Sequence, residues 1–155
     1  MLGPRNRGPL LGRGNDSNES PGRNNVQIAN VIAQLRTTDL AGSIRFYTAL
    51  PGFTLAFQYH DFYAGIRAGE QLFHLKLTDE KDPSIDVVAR DEHLHLYFET
   101  LDVNAAADAC RRAGVPLARD VHATPWGTRE FIVRDDQGHT LYFGEAQPNK
   151  PGEPA

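Results

Sequence analysis

Residues 31–37 (VIAQLRT) read as a strand, with apolar and polar residues alternating from Ala33 to Arg36, the period of a strand with one covered face. The period then changes. Leu40, Ile44 and Tyr47 recur at helical spacing behind Thr38 and Asp39, whose short side-chain oxygens suit a helix N-cap, and Gly52 follows as a stop. Three strand-like segments come next, over 53–59, 62–67 and 71–77, with turns at Asp61 and at Gly69-Glu70. A charged stretch, 78–91, containing Pro83, breaks the pattern and reads as a linking loop. The same order then returns: a strand over 93–100, Asp102 as a cap, a helix from Val103 to Ala113 with Val103, Ala106, Ala107 and Cys110 on one stripe, and Gly114 as a stop. Strands over 116–122, 128–134 and 139–145 complete it, the last two joined by an Asp135-Asp136-Gln137-Gly138 turn in which Gly138 suits positive φ.

The repeat is measurable. The capping Asp39 and Asp102 lie 63 residues apart, and Gly52 and Gly114 lie 62 apart. Each half, about 28–77 and 93–147 around a linker at 78–92, is βαβββ. The fold expected is therefore α+β: two tandem modules forming a curled mixed sheet around a cleft, with the helices outside.

Composition confines this domain to residues 28–147. Residues 1–27 are rich in Gly, Pro and Asn, with Arg5, Arg7, Arg13 and Arg23 and no apolar period, and are expected to be a disordered tail. Residues 148–155 read as a loose end. Between the tails stand 11 basic and 17 acidic side chains, a net charge of −6. That sign disfavours nucleic acid and anionic membranes and favours a cationic ligand. A single cysteine, Cys110, at an expected core position, excludes an internal disulfide framework and a cysteine-cluster metal site. Neither a membrane-spanning apolar run nor a signal-peptide pattern is present, so a soluble, cytoplasmic protein is expected.

The capping Thr38-Asp39-Leu40, the Phe46-Tyr47 and Gly52-Phe53 pairs, the segment 95–103, Ala113-Gly114-Val115 and the closing run 131–143 (FIVRDDQGHTLYF) together resemble the vicinal oxygen chelate superfamily. That superfamily includes glyoxalase I, extradiol dioxygenases and the bleomycin-resistance proteins, and the resemblance spans about residues 30–146. It implies four metal-ligand positions, which fall here on Ile32, His74, His95 and Tyr142. Isoleucine has no lone pair and a neutral tyrosine is a poor ligand, whereas a catalytic divalent site normally takes three protein ligands. No metal and no cofactor is therefore expected. His93 and His95 share a strand face, a spacing at which two imidazoles can chelate an ion.

The cleft positions still form a binding surface. Strand alternation puts Gln34 and Arg36 on one inner face and His95, Tyr97 and Glu99 on its counterpart, with His74, Tyr142, Trp126 and Arg129 from neighbouring strands. These nine residues are the expected ligand contacts. Each has a plainer alternative: Arg36 and Glu99 as an internal ion pair, His74 and His95 as core histidines, Trp126 as a loop anchor or dimer contact. The run 126–131 (WGTREF), with His95 to Glu99, looks most like the bleomycin-resistance branch. Its members are dimers that sequester a drug without a catalytic metal. The expected function is binding of a small organic molecule, of cationic type, by a homodimer. A metal-dependent lyase, isomerase or dioxygenase using His74, His95 and a third ligand is the competing reading. A regulatory module with a vestigial cleft is a third.

Overall fold

The computed structural model describes residues 25–146. The chain divides into two units, 1–31 and 32–155; of the first, the described residues 25–31 form neither helix nor strand. Of the expected N-terminal tail at 1–27, residues 1–24 lie outside the described residues, as does the C-terminal end at 148–155.

The second unit contains both modules. The first runs β1 (Gln34–Thr37), α1 (Leu40–Ala49), β2 (Phe53–Tyr59), β3 (Tyr63–Ala68) and β4 (Gln71–Leu77). The second runs β5 (Leu96–Glu99), α3 (Val103–Arg112), β6 (Arg119–Ala123), β7 (Thr128–Arg134) and β8 (Thr140–Ala146). Between them lies α2 (Ser84–Arg90). Each module forms its own four-stranded mixed sheet, ordered β1-β4-β3-β2 and β5-β8-β7-β6. In each, the first and last strands run parallel and the other neighbours antiparallel. This is the α+β arrangement of two tandem βαβββ modules that the repeat implies, with one mixed sheet to each module. No described helix is long and apolar enough to cross a membrane.

The helix starts follow the sequence. The Asp39 carboxylate accepts from the Gly42 N–H at 3.0 Å, and the Asp102 carboxylate from the Ala105 N–H at 2.9 Å. Both satisfy a first-turn donor that no intrahelical carbonyl can reach. The helices back onto one face of each sheet, and the buried residues join into one core. Leu40 and Tyr47 of α1 meet Leu35, Ile66, Phe73 and Leu75; Val103, Ala107 and Cys110 of α3 meet Phe131, Val133, Leu141 and Phe143. Cys110 is fully buried, and that burial raises its thiol pKa. The Phe53 ring lies 5.0 Å from that of Phe98, so the two cores are continuous.

The linker is not a loop throughout. Pro83, with φ near −66°, precedes the first turn of α2, and Asp82 accepts from the Ser84 N–H at 2.9 Å. The helix has only seven residues and buries only Ile85, which packs beside Gly138. Too short to be stable alone, it depends on that contact.

The β7–β8 turn fastens the modules together. Tyr47 Oη donates to Asp135 at 2.6 Å, Ser43 Oγ to Asp136 at 2.7 Å, and Gln137 Oε1 accepts from both the N–H and the hydroxyl of Thr38 at 3.0 Å. Asp135 also accepts from the backbone N–H groups of residues 137–139 and from His139 Nδ1 at 2.7 Å. Burial pushes its carboxyl upward, but these donors and the His139 charge outweigh it and hold the pKa below the usual value.

Candidate functional site

Each sheet has a second face, away from its helix, and six of the nine expected ligand residues divide between those faces. On the first sheet, Gln34, His74, Gly65 and Phe57 stand side by side across β1, β4, β3 and β2. Gln34 Nε2 donates to Tyr63 Oη at 2.9 Å, which leaves the phenol proton to bond His74 Nδ1 at 2.8 Å. That bond assigns the proton of a neutral His74 to Nε2. Phe57 lies over Gly65, where a Cβ would collide with the ring, and stacks on Tyr63 at 6.4 Å. Phe57 and Tyr59, on this face, and Phe62, in the adjoining turn, are all at least 40 % exposed. The face is thus an aromatic platform, with Arg36 and Lys76 beside each other in register.

On the second sheet, Tyr97 and Tyr142 are opposite each other across β5 and β8, their rings 6.5 Å apart. Tyr142 Oη reaches the Glu92 carbonyl at 3.5 Å. The register places Glu99, Gly144, Glu130 and His122 in one row across all four strands. Glu130 is only 3 % exposed. Its Oε1 accepts from Thr128 Oγ1 at 2.9 Å and Tyr97 Oη at 3.2 Å. Burial first, then the Glu130 charge, raises the Tyr97 phenol above its ordinary pKa.

The other expected contacts lie elsewhere. Thr140 N–H donates to His95 Nδ1 at 3.0 Å, so neutral His95 carries its proton on Nε2, which bonds Ser84 Oγ at 2.9 Å. Both nitrogens are engaged, and the ring packs edge-on against His139 at 4.8 Å. Burial first, then the nearby His139 charge, lowers its pKa. With Nε2–H as donor, His95 cannot take a proton from Ser84, so this pair is no nucleophile–base dyad. Arg129 shares the parity of Phe131 and Val133; it faces α3, where Nη2 donates to Asn104 at 3.3 Å. Trp126 is 72 % exposed at the tip of the β6–β7 turn. Among the described residues, no ion pair joins Arg36 to Glu99, and no hydrogen bond or ring contact joins the Gln34–Tyr63–His74 group to the Tyr97–Glu130 group.

The four positions the resemblance marks for a metal do not fit one. Ile32 offers no donor, His95 has no free nitrogen, and no three His, Cys, Asp or Glu side chains among the described residues converge. His93 lies in the turn after α2, outside any strand. Three groups escaped the sequence reading: Tyr63 and Phe57, the buried Glu130, and the Asp82–His139–Asp135 cluster. Only Glu130 had a usable signal, since alternation from Thr128 places it opposite Phe131.

Two mixed βαβββ sheets with this strand order define a paired-module α+β binding or enzymatic fold. The chain belongs to the glyoxalase/bleomycin resistance protein/dioxygenase superfamily, whose family model matches residues 27–143. No curated protein matches it. Among solved structures it is similar to a bleomycin-binding protein from bleomycin-producing Streptomyces verticillus, complexed with copper(II)-bleomycin. Identity there is 23 %, coverage 80 % of this chain and 99 % of that one, and the TM-score 0.60. It is also similar to a bleomycin resistance determinant encoded on transposon Tn5 (15 %, 78 % and 100 %, TM-score 0.63). A lactoylglutathione lyase from Agrobacterium tumefaciens matches to a similar degree (18 %, 77 % and 95 %, TM-score 0.59). At these identities the likeness is one of fold.

Proposed function

We propose that the protein binds a small organic cation stoichiometrically and sequesters it, as a soluble cytoplasmic homodimer. One observation carries this reading. The open face of the second sheet presents Tyr97 and Tyr142 with Glu99 and Glu130, while both nitrogens of His95 and Nδ1 of His74 are held in internal hydrogen bonds. Sequestration needs no nucleophile, base or Lewis acid. The acidic domain supports a positively charged ligand, and the exposed aromatic platform of the first sheet supports a self-associating surface. The bleomycin-binding relative supplies the first ligand class to try.

Titration calorimetry with copper-bleomycin tests it. Saturable binding without turnover is expected. Free ligand at 100 times its dissociation constant should stabilise the fold by about 2.7 kcal/mol. Purification with one equivalent of tightly held Zn, Ni, Mn or Fe per chain, and an isomerase or dioxygenase activity lost on chelation, would overturn the binding reading in favour of a metalloenzyme.

A further inference from the structure

Glu130 is the one acidic side chain on the open face of the second sheet that is almost wholly buried, at 3 % exposure. An enclosed carboxylate is unfavourable unless its oxygens find partners or reach solvent. Here its hydrogen-bond donors are neutral hydroxyls, Tyr97 and Thr128, and both end on Oε1. Oε2 receives no donor, and no lysine or arginine pairs with Glu130, among the described residues. Its neighbour on β6 is His122, whose Nδ1 is bonded to the Asp120 carbonyl. On the other side is Gly144, and beyond it, exposed, Glu99. Gly144 leaves a gap between two carboxylates. The Tyr97 hydroxyl fills that gap, at the place a Cβ would occupy.

We propose that Glu130 is the anionic seat for an ammonium or guanidinium group, which enters above Gly144, between Glu130 and Glu99, and takes the place of the Tyr97 hydroxyl. The Tyr97 and Tyr142 rings flank the entry and suit a cation carried on an aromatic or apolar body. A bare metal ion is a poor candidate, because the site lacks a third ligand. The seat deepens the binding reading above and rests on it for the nature of the ligand.

The test compares tyramine with tyrosol, which replaces the ammonium by a hydroxyl on the same body, in NMR titrations of the full chain. Tyramine should bind at least about tenfold more tightly, the lower end for gaining a charged partner, and should shift the Gly144 and Tyr97 signals. Glu130→Gln retains an acceptor for both hydroxyls and should erase the preference. Tyr97→Phe removes the competing hydroxyl and should strengthen tyramine binding. Equal binding of the two compounds, a preference that survives Glu130→Gln, or weaker binding by Tyr97→Phe would each overturn the proposal. Copper-bleomycin titrated into the same proteins separates the two readings. Bleomycin bound alike by wild type and Glu130→Gln, with no tyramine preference, overturns the seat and leaves sequestration standing. A Glu130-dependent tyramine preference without bleomycin binding upholds the seat and overturns the drug reading.

Discussion

His139 is a buried histidine held between two carboxylates. It is 1 % exposed; Nδ1 lies 2.7 Å from Asp135 and Nε2 3.6 Å from Asp82. Burial alone would lower its pKa, yet the Asp135 hydrogen bond and the two carboxylate charges outweigh burial and raise it. A raised histidine pKa contributes stability that is fully present below the unfolded value, near 6.5, and is lost as pH rises through the folded value. Asp135 has the opposite sign: its contribution is present above the ordinary aspartate range and is lost as pH falls through its depressed value. The pair should therefore stabilise most on the acid side of neutrality. His139→Gln should lower the melting temperature most near pH 6, and the gap to wild type should narrow towards pH 9. A gap that widens with pH would show that His139 is neutral in the fold. None of this was legible in the sequence. His139 sits directly after a turn glycine, where the run 131–143 reads only as a strand boundary, and Asp82 comes from a distant linker.

At the scale of elements, the chain was most readable where backbone chemistry is local. Asp39 and Asp102 cap their helices as their residue types require, and the strand periods mark β2, β3, β4, β7 and β8 within a residue of their observed ends. Each cap closes one orphan N–H, so Asp39→Ala and Asp102→Ala should each cost about 1 kcal/mol in chemical denaturation. The two sites belong to different modules, and their effects should add to within about 0.5 kcal/mol in the double variant. The α2 helix was hidden because its formation is not local. Charges and Pro83 dominate the segment, and what selects a helix is the packing of Ile85 against the β7–β8 turn together with the Ser84–His95 bond. The strand before Asp102 is shorter than its residue pattern for a related reason: His95 is drawn into the α2 contact, and β5 starts only at Leu96.

The whole molecule departs from a simple duplication. Equivalent positions of the two halves carry different chemistry: Gln34 and His74 with Tyr63 on one sheet, Tyr97 and Tyr142 with Glu130 on the other. The sequence revealed the repeat but not this division. Alternation assigns a side chain to a face of its own sheet and says nothing of how two sheets are disposed. What unites the modules is the continuous core and the turn residues bonded to α1. Phe53 is central to it, with Phe73, Phe98 and Phe143 within 6.5 Å of its ring and contributed by both modules. Phe53→Ala should cost about 3–5 kcal/mol, the range for a large aromatic removed from a core. Because the core is shared, the loss should be felt in both halves at once. Backbone signals of β3 and of β7 should disappear together along a urea titration, with one midpoint for both, lower than in wild type. If β7 kept its wild-type midpoint while β3 melted early, the modules would be folding separately, and the Phe53–Phe98 contact would be a mere touching of two cores.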